Sequence, residues 1–396
     1  MMREVWSLPL RDALERIVPW PDPAPPIGPD EYAARRDRAQ ALLAAAGLDA
    51  LLVGAGASLR YFTGLDWMPS ERLVAMLLPR EGAAFLICPA FELGSLTRSM
   101  TVPMDVRCWE EDEDPAGLAA SAIPHRGRLA LDPELPFRVA EALRRLGLDL
   151  SDADVVIGGC RRIKSVTELA LMQQAMSMTL EVQQITAGIL RPGMTASLVR
   201  RFVDAAHRAL GAPDGSSFCA VQFGQATAYP HGVPGEQVLG ERDLVLVDTG
   251  CILHGYHSDI TRTYAFGVPD PEQARIWAIE REAQDAAFDA VRPGMSCASV
   301  DRAARDVLER YGLGPDHRLP GLPHRTGHGI GLSIHEPAYL VRGDNTTLMP
   351  GMCFSIEPMI VVPDRFGVRL EDHVVVTETG ARWFTLPARS IESPFA

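Results

Sequence analysis

The sequence predicts an N-terminal arm, residues 1–28, followed by two domains of different class. These are an α/β domain over 29–162 and an α+β domain over 163–396 that carries an internal pseudo-twofold duplication. Three observations lead there. Helix-like and strand-like apolar runs alternate as far as about residue 160. A long helical pattern with no strand signal begins near Ser165. A segment reading Arg-Pro-Gly-Met followed by Thr or Ser then occurs twice, 101 residues apart.

Taken in order, the arm ends in PDPAPPIG, which cannot continue a helix and reads as an extended lead-in. Helical patterns such as EYAARRDRAQALLAAAG and FRVAEALRRLG then alternate with LDALLVGAG, RLVAMLLP and AAFLICP, which is an α/β pattern. In CRRIKSVTELALMQQA either Ser165 or Thr167 is placed to cap a helix of about 24 residues, so the domain boundary falls near 160–166. Arg191-Pro192-Gly193-Met194-Thr195 opens LVRRFVDAAHRALG, and Arg292-Pro293-Gly294-Met295-Ser296 opens VDRAARDVLERYG. Each copy follows a long amphipathic helix and precedes strands with acidic residues, LVLVDTG and CFSIEP. Arg-Pro-Gly is a common helix stop, but the matched surroundings favour duplication, which would bring both acidic strands to a shared centre.

With 396 residues the chain suits two cores rather than one, and 47% apolar with 22% charged residues is ordinary for a soluble globular protein. No run approaches the ~18 consecutive apolar residues of a membrane span, so no membrane partner is expected. MMREVWSLPLRDALERIV has charges within its apolar stretch and no small-residue cleavage site, which makes the cytoplasm the expected location. Seven scattered cysteines without a CxxC pair are expected to be reduced and mostly buried. A net charge of −13 argues against a nucleic-acid partner and suits a small neutral or zwitterionic substrate.

Asp248, Asp259, Glu357 and Glu371 each end or follow an apolar strand-like run, and His328 lies in the glycine-rich RTGHGIG. Brought together without cations, four carboxylates would repel one another and be driven to protonate. Two divalent ions would cancel that charge. A turn at His254-Gly255 is expected to set Asp248 and Asp259 directly opposite each other, with Cβ atoms roughly 5 Å apart. The turn PDRFG is expected to bring Glu357 near Glu371 across a second hairpin. A histidine between glycines is by itself more often a turn residue. Beside four placed acids it reads as a ligand, its small neighbours leaving the imidazole accessible. The oxygen-rich set favours Mn²⁺, with Co²⁺ or Zn²⁺ as alternatives.

The strings VDTG, GYHSDITRTY, GHGIGLSIHEP, SIEP and RLED, in that order over about residues 230–375, resemble the pita-bread superfamily. That group contains prolidase, Xaa-Pro aminopeptidase, creatinase and methionine aminopeptidase. The N-terminal half is similar only in its α/β pattern and the RYFTG turn, as in a creatinase-like N-terminal domain. The resemblance implies that Asp248 holds one metal, that His328 and Glu357 hold the other, and that Asp259 and Glu371 bridge both. It also implies that His231, His324 and His335 line the substrate cleft, and that Arg369 sits beside it facing a carboxylate of either the metal site or the substrate C-terminus. A homodimer is implied as well.

The expected reaction is hydrolysis of the Xaa-Pro imide bond of a dipeptide by a water shared between two ions. Glu357 would take the proton of that water, and His335 and His231 would stabilise the oxyanion and assist the leaving nitrogen. Val361 stands where the proline peptidases usually have tyrosine, and loss of that hydroxyl is worth on the order of 10²–10³ in rate if it polarises the carbonyl. Other readings of the same fold are an Xaa-Pro aminopeptidase on longer peptides, a C–N hydrolase of a small metabolite, a lyase acting on a sulfonium acid, and a non-catalytic binding protein. Creatinase-like members lose metal ligands, whereas this chain keeps all five. Methionine aminopeptidase is disfavoured by the long N-terminal domain. HEPAY is not HExxH, and neither a GxSxG elbow nor a phosphate-loop lysine is present.

Overall fold

A computed structural model describes residues 8–395. Two compact units divide the chain, one over Pro26–Ile163 and the other joining the N-terminal residues up to Pro25 to those from Lys164 onward. The first described helix, α1 (Leu8–Glu15), belongs to the second unit. LPLRDALE is too short to persist alone. It is held because Leu10 is buried in the core formed by Val182, Phe202, Val203 and Val245. The arm is therefore not extended throughout. Its proline-rich remainder is tied down by Trp20 N–H to the Leu210 carbonyl at 2.9 Å and by Ala24 N–H to Gln174 Oε1 at 2.6 Å.

The N-terminal unit is α/β. Its helices are α2 (Pro29–Ala46), α3 (Ala57–Thr63), α4 (Leu93–Ser99), α5 (Pro115–Ser121), α6 (Phe137–Arg145) and α7 (Asp154–Arg161). They cover one mixed six-stranded sheet of β1 (Ala50–Gly54), β2 (Ala75–Pro79), β3 (Phe85–Pro89), β4 (Asp105–Trp109), β5 (Arg128–Leu131) and β6 (Asp149–Asp152). The order is β4-β3-β2-β1-β5-β6. Strands β1 to β3 are almost entirely buried, which is why their apolar runs are unbroken, and RYFTG closes α3 on left-handed Gly64.

The C-terminal unit is built twice. Its first half is α8 (Val166–Ile189), α9 (Ala196–Leu210), β7 (Ser216–Phe223), β8 (Leu244–Leu253), β9 (Tyr256–His257) and β10 (Ile260–Ala265). The second is α10 (Pro271–Ala290), α11 (Cys297–Arg310), β11 (Gly327–Gly329), β12 (Glu336–Leu340), β13 (Cys353–Ile356), β14 (Met359–Val362), β15 (Phe366–Arg369), β16 (Asp372–Val376) and β17 (Ala381–Trp383). Ser165 opens α8 through a reciprocal capping box with Glu168, and Asp270 opens α10 through one with Gln273. The repeated Arg-Pro-Gly-Met turns match in detail. Thr195 and Ser296 cap α9 and α11 from their side chains, and Gly193 and Gly294 take φ of 84° and 88°. Gly193 N–H bonds the Leu239 carbonyl at 2.8 Å, and Gly294 N–H bonds Leu348 at 2.9 Å.

On β8, Val245 and Val247 join the core against α8 and α9, so Asp248 takes the opposite face by simple alternation. Among the described residues no helix is long and apolar enough to cross a membrane. All seven cysteines are free, five of them buried.

Candidate metal centre

Two hairpins supply the carboxylates. In the first, Leu253 pairs with Tyr256, Ile252 with His257 and Asp248 with Thr261, all in one register. The intervening His254-Gly255 has φ of 49° and 92°, the positive pair that a two-residue type I′ turn needs. That turn length puts Thr261, not Asp259, across from Asp248, so the expected direct opposition of the two aspartates is corrected by two residues. Asp259 lies in the break between β9 and β10, diagonal to Asp248 on the same face. Gly250 permits this break, because a Cβ there would meet the Ser258 carbonyl oxygen at 1.8 Å.

In the second hairpin, β13 pairs with β16 and β14 with β15 in a single register, Ile356 opposite Asp372 and Met359 opposite Arg369. Glu357 and Glu371 occupy the matched positions in the gap between these ladders. There the strands part, and Glu357 N–H donates to the Thr326 carbonyl at 2.8 Å while Glu371 N–H donates to Thr261 at 3.0 Å. The Glu371 contact is the bridge that joins the second half to the first.

His328 sits on β11 and is 3% exposed, which corrects the expectation of an accessible ring. Its glycine neighbours serve close strand approach, since a Cβ on Gly327 would lie 1.9 Å from the Ser355 carbonyl oxygen and one on Gly329 2.4 Å from that of Glu336. Nδ1 is 3.0 Å from the Gly329 carbonyl, so a neutral ring with its N–H placed there would turn the Nε2 lone pair towards the acids, the form a metal ligand needs. From Nε2, Glu357 Oε1 is 3.1 Å away, Asp259 Oδ2 3.7 Å and Glu371 Oε1 3.8 Å.

Burial, and after it the charge of the neighbouring acids, pushes the carboxyls of Asp259 and Glu371 well above the usual range. Burial pushes Glu357 the same way, but without a cation in the site a protonated His328, through charge and hydrogen bond, outweighs it and holds the group low. Asp248 Oδ1, Asp259 Oδ1 and Glu371 Oε1 are buried with no hydrogen-bond partner among the described residues. Orphaned carboxylate oxygens around an imidazole lone pair suit hard divalent cations and little else. Donor atoms of Asp259, His328, Glu371 and His373 lie within 4.8 Å of one another. Asp248 and Glu357 flank this group.

Arg369 is buried, and of its two expected partners the structure supplies the metal-site carboxylate. It donates to Asp248 Oδ2 at 2.5 Å, to Thr261 Oγ1 at 3.1 Å and to the Pro230 carbonyl at 3.3 Å. Thr261 in turn donates to Glu371 Oε2 at 2.7 Å. The three cleft histidines differ in setting. His335 is exposed and stacks edge-on against His328 with ring centroids 4.2 Å apart. His324 is half-buried, its Nε2 unpartnered, with burial lowering its pKa against the pull of Glu357. His231 lies on an exposed turn, close enough to His335 to be felt electrostatically.

Sequence reasoning missed the supporting residues. Ser355 Oγ accepts from His328 N–H at 2.9 Å and donates to Glu357 at 3.0 Å, so it aligns two candidate ligands at once. Arg262 and Asp372 form a fully buried ion pair at 2.7 Å, and Arg262 also reaches the Glu371 carbonyl at 2.9 Å. Asp301 and Arg305, one turn apart on α11, hold Thr326 Oγ1 and the His324 carbonyl, both at 2.7 Å. His373 was also missed. It is fully buried, and burial pushes its pKa down to about 3. For Ser355, Arg262 and Asp372 the prior signal was their place inside the motif strings, where a polar residue on a buried strand requires a partner; Asp301, Arg305 and His373 lie outside those strings.

Comparison with known proteins agrees with this architecture. The profile of metallopeptidase family M24 matches residues 170–378, and that of the creatinase/prolidase N-terminal domain matches 35–163. A probable dipeptidase PepE of Mycobacterium tuberculosis is 38% identical over 358 residues, covering 88% of this chain and 93% of that protein. A putative dipeptidase YkvY of Bacillus subtilis is 32% identical over 88% of this chain and 96% of its own. Among solved structures, dipeptidase PepE from Mycobacterium ulcerans superposes with a TM-score of 0.85 at 36% identity, over 93% of this chain and all of that one. A prolidase from Thermococcus sibiricus gives 0.80 at 29% identity over 90% and 98%. With family profiles covering both units and relatives aligned along nearly the whole chain, this protein belongs to the creatinase/prolidase-type branch of the family M24 metallopeptidases and is a peptide hydrolase of pita-bread fold.

Proposed function

We propose that the protein is an Xaa-Pro dipeptidase, hydrolysing the imide bond of a dipeptide with proline at its second position. The observation that carries this is the convergence of Asp259, His328 and Glu371, with unpartnered carboxylate oxygens, on a single buried point. Dipeptidases and prolidases among its relatives support the substrate class. Asp248 would hold one ion, His328 and Glu357 the other, with Asp259 and Glu371 shared between them. When bound, the ions lower the pKa of the attacking water and polarise the scissile carbonyl.

The chain's own residues do the rest. Glu357, with Oε1 3.1 Å from His328 Nε2, is the carboxylate that would accept the proton of the water. Arg369 locks Asp248 in place from behind. The imide nitrogen of proline carries no hydrogen and must be protonated as it leaves, and His335, above His328, is the exposed imidazole suited to that transfer. His231 and His324 complete the polar wall of the cleft. Val361 is buried on β14 and exchanges backbone hydrogen bonds with Gly321, so no phenol projects from this position.

Manganese is the proposed native metal on the strength of the oxygen-rich donor set, with cobalt or zinc as substitutes. The proposed location is the cytoplasm, in keeping with seven free cysteines. The proposed assembly is a homodimer, supported by the family resemblance and testable by sedimentation. Assays of Ala-Pro, Gly-Pro and an Xaa-Pro-Xaa tripeptide, with Mn²⁺ and with chelator, test the activity. Metal-dependent cleavage of the dipeptides is expected. Cleavage of the tripeptide alone would make the enzyme an aminopeptidase, and cleavage of none would favour a small-metabolite C–N hydrolase.

A further inference from the structure

Resting on the two-ion reading above, we infer that His373 is an additional protein ligand of the metal centre, giving the His328 end of the site a second imidazole. Strand alternation places it there. Asp372 turns away into its ion pair with Arg262, so Glu371 and His373, two residues apart, share the inward face. Across the ladder His373 pairs with Ser355, the residue whose hydroxyl aligns His328 and Glu357. The His373 ring centroid is 5.9 Å from that of His328, at an interplanar angle of 66°.

One of its ring nitrogens belongs to the group of four donors that lie within 4.8 Å of one another. Ligands at about 2.1 Å from one ion stand at most about 4.2 Å apart, so this set needs to close by only about half an ångström. Neither His373 nitrogen makes a hydrogen bond of good geometry among the described residues, the Asp259 backbone offering only a weak contact, although the side chain is fully buried. A packing role alone does not account for that, because an apolar side chain of similar size would fill the space without burying two polar atoms. An ion accepting one lone pair would account for it. Two imidazoles also make this end of the site more nitrogen-rich than the Asp248 end, which shifts its preference towards Co²⁺ or Zn²⁺ and leaves the other end to harder ions.

The test is titration of metal-stripped full-length protein with Co²⁺, following stoichiometry by elemental analysis, affinity by calorimetry and the visible d–d absorption of the bound ion. Wild type is compared with His373→Leu and, in case the first variant does not fold, His373→Gln. The expected result is that one of the two Co²⁺ ions binds roughly 10–100-fold more weakly in either variant, with an altered visible band. Coincident affinities and spectra in a folded variant and in wild type would overturn the assignment and leave His373 as a packing residue. If folded wild type binds no Co²⁺ at all, the two-ion reading fails first and the His373 ligand with it, which separates the two failures.

Discussion

The first half of the C-terminal unit delivers its carboxylates from one tight hairpin, whereas the second half delivers them from a hairpin opened in its middle. Beneath this difference lies a shared support. Gln183 on α8 and Gln284 on α10 are 101 residues apart, both are buried, and each holds the backbone beside its half's acids. Gln183 Nε2 donates to the carbonyls of Val247 and Ile260, next to Asp248 and Asp259, at 3.1 and 2.6 Å. Gln284 Nε2 donates to the Ile356 carbonyl and to Asp372 Oδ2, next to Glu357 and Glu371, at 3.1 and 3.3 Å. The duplication is therefore a duplication of supports. The Arg-Pro-Gly-Met turns, the caps of α9 and α11 and the glutamines keep a 101-residue offset, while the strand residues they hold drift to 109 for Asp248 and Glu357 and 112 for Asp259 and Glu371. Insertions have been absorbed in the loops without moving the acids from the centre.

The strongest way to break this equivalence is at the two acids proposed to be shared. Asp259→Asn and Glu371→Gln are each expected to lower kcat/KM by on the order of 10³ or more, since each removes an anionic donor from the site. In the metal-free protein the same changes are expected to raise the melting temperature, because each removes one of the crowded charges that burial and neighbours already disfavour. Opposite signs in the two states, read by activity and by calorimetry with and without chelator, mark a metal-neutralised acid. A fall in both would identify a purely structural one.

The pH dependence of the metal-free protein gives the next largest effect. Asp259 and Glu371 have folded-state pKa values above those of the unfolded chain, so the native state retains protons that the unfolded state has lost. Stability contributed below the unfolded value of about 4 is then lost as pH rises towards the folded values, at up to about 1.4 kcal/mol per pH unit for each group. Glu357 acts oppositely below the unfolded carboxyl value, and His207, His324, His335 and His373, whose pKa values burial lowers, act oppositely up to the unfolded histidine value of about 6.5. Denaturant titrations of chelated wild type alongside Asp259→Asn and Glu371→Gln between pH 4 and 8, a comparison that cancels the histidine contributions, should show wild type losing stability relative to either variant as pH rises, and saturating Mn²⁺ should abolish that relative loss.

What the sequence disclosed and what it hid divide along physical lines. Helix starts were legible because Ser165, Thr195 and Ser296 are capping residues followed by periodic apolar positions. The proposed ligands could be picked out because charged residues at the ends of apolar strands need neutralisation. Register could not be, since it depends on counting a turn to the residue, and the two-residue error at Asp259 came from that count. The helix at Leu8–Glu15 was hidden because tertiary burial of Leu10, rather than local propensity, creates it. His373 was hidden because RLEDHVVV reads as a buried strand in which one imidazole passes for packing.

The two glutamines sharpen the comparison at intermediate size. Gln183→Leu removes the side-chain donor to two backbone carbonyls, and Gln284→Leu removes that to the Ile356 carbonyl and one of the two donors to Asp372 Oδ2, which keeps Arg262 at 3.1 Å; each change costs about 1–3 kcal/mol in unfolding free energy. Gln284→Leu is expected to be the more damaging to metal affinity. Its partner Asp372 also anchors Arg262, which reaches the Glu371 carbonyl, whereas Gln183 touches only main chain. Urea titration and Mn²⁺ calorimetry on both variants check this, and equal losses of affinity would mean that the side-chain contact to Asp372 adds nothing.

The smallest effect lies one helical turn earlier, where the halves use different residues at the same repeat position, Thr179 and Glu280. Thr179 is satisfied, with Ser258 Oγ at 2.8 Å and His207 Nε2 at 3.0 Å. Glu280 is fully buried with neither oxygen in a hydrogen bond of good geometry, and burial pushes its pKa well above the usual range against weaker pulls from the Leu370 backbone and Arg369. Such a carboxyl resists ionisation in the fold, and it disfavours folding increasingly as pH climbs past the unfolded value of about 4. Glu280→Gln keeps the shape without the titration. Its stability should therefore match wild type near pH 4 and exceed it by on the order of 1 kcal/mol or more at pH 8. Thr179→Val should cost about 1 kcal/mol at both pH values, since it breaks hydrogen bonds whose strength does not vary across that range except through His207, which burial keeps neutral down to about pH 4. A pH-independent difference for Glu280→Gln would mean that this acid is ionised in the fold and paired with Arg369, which would make it part of the charge balance of the metal centre rather than a bystander beneath it.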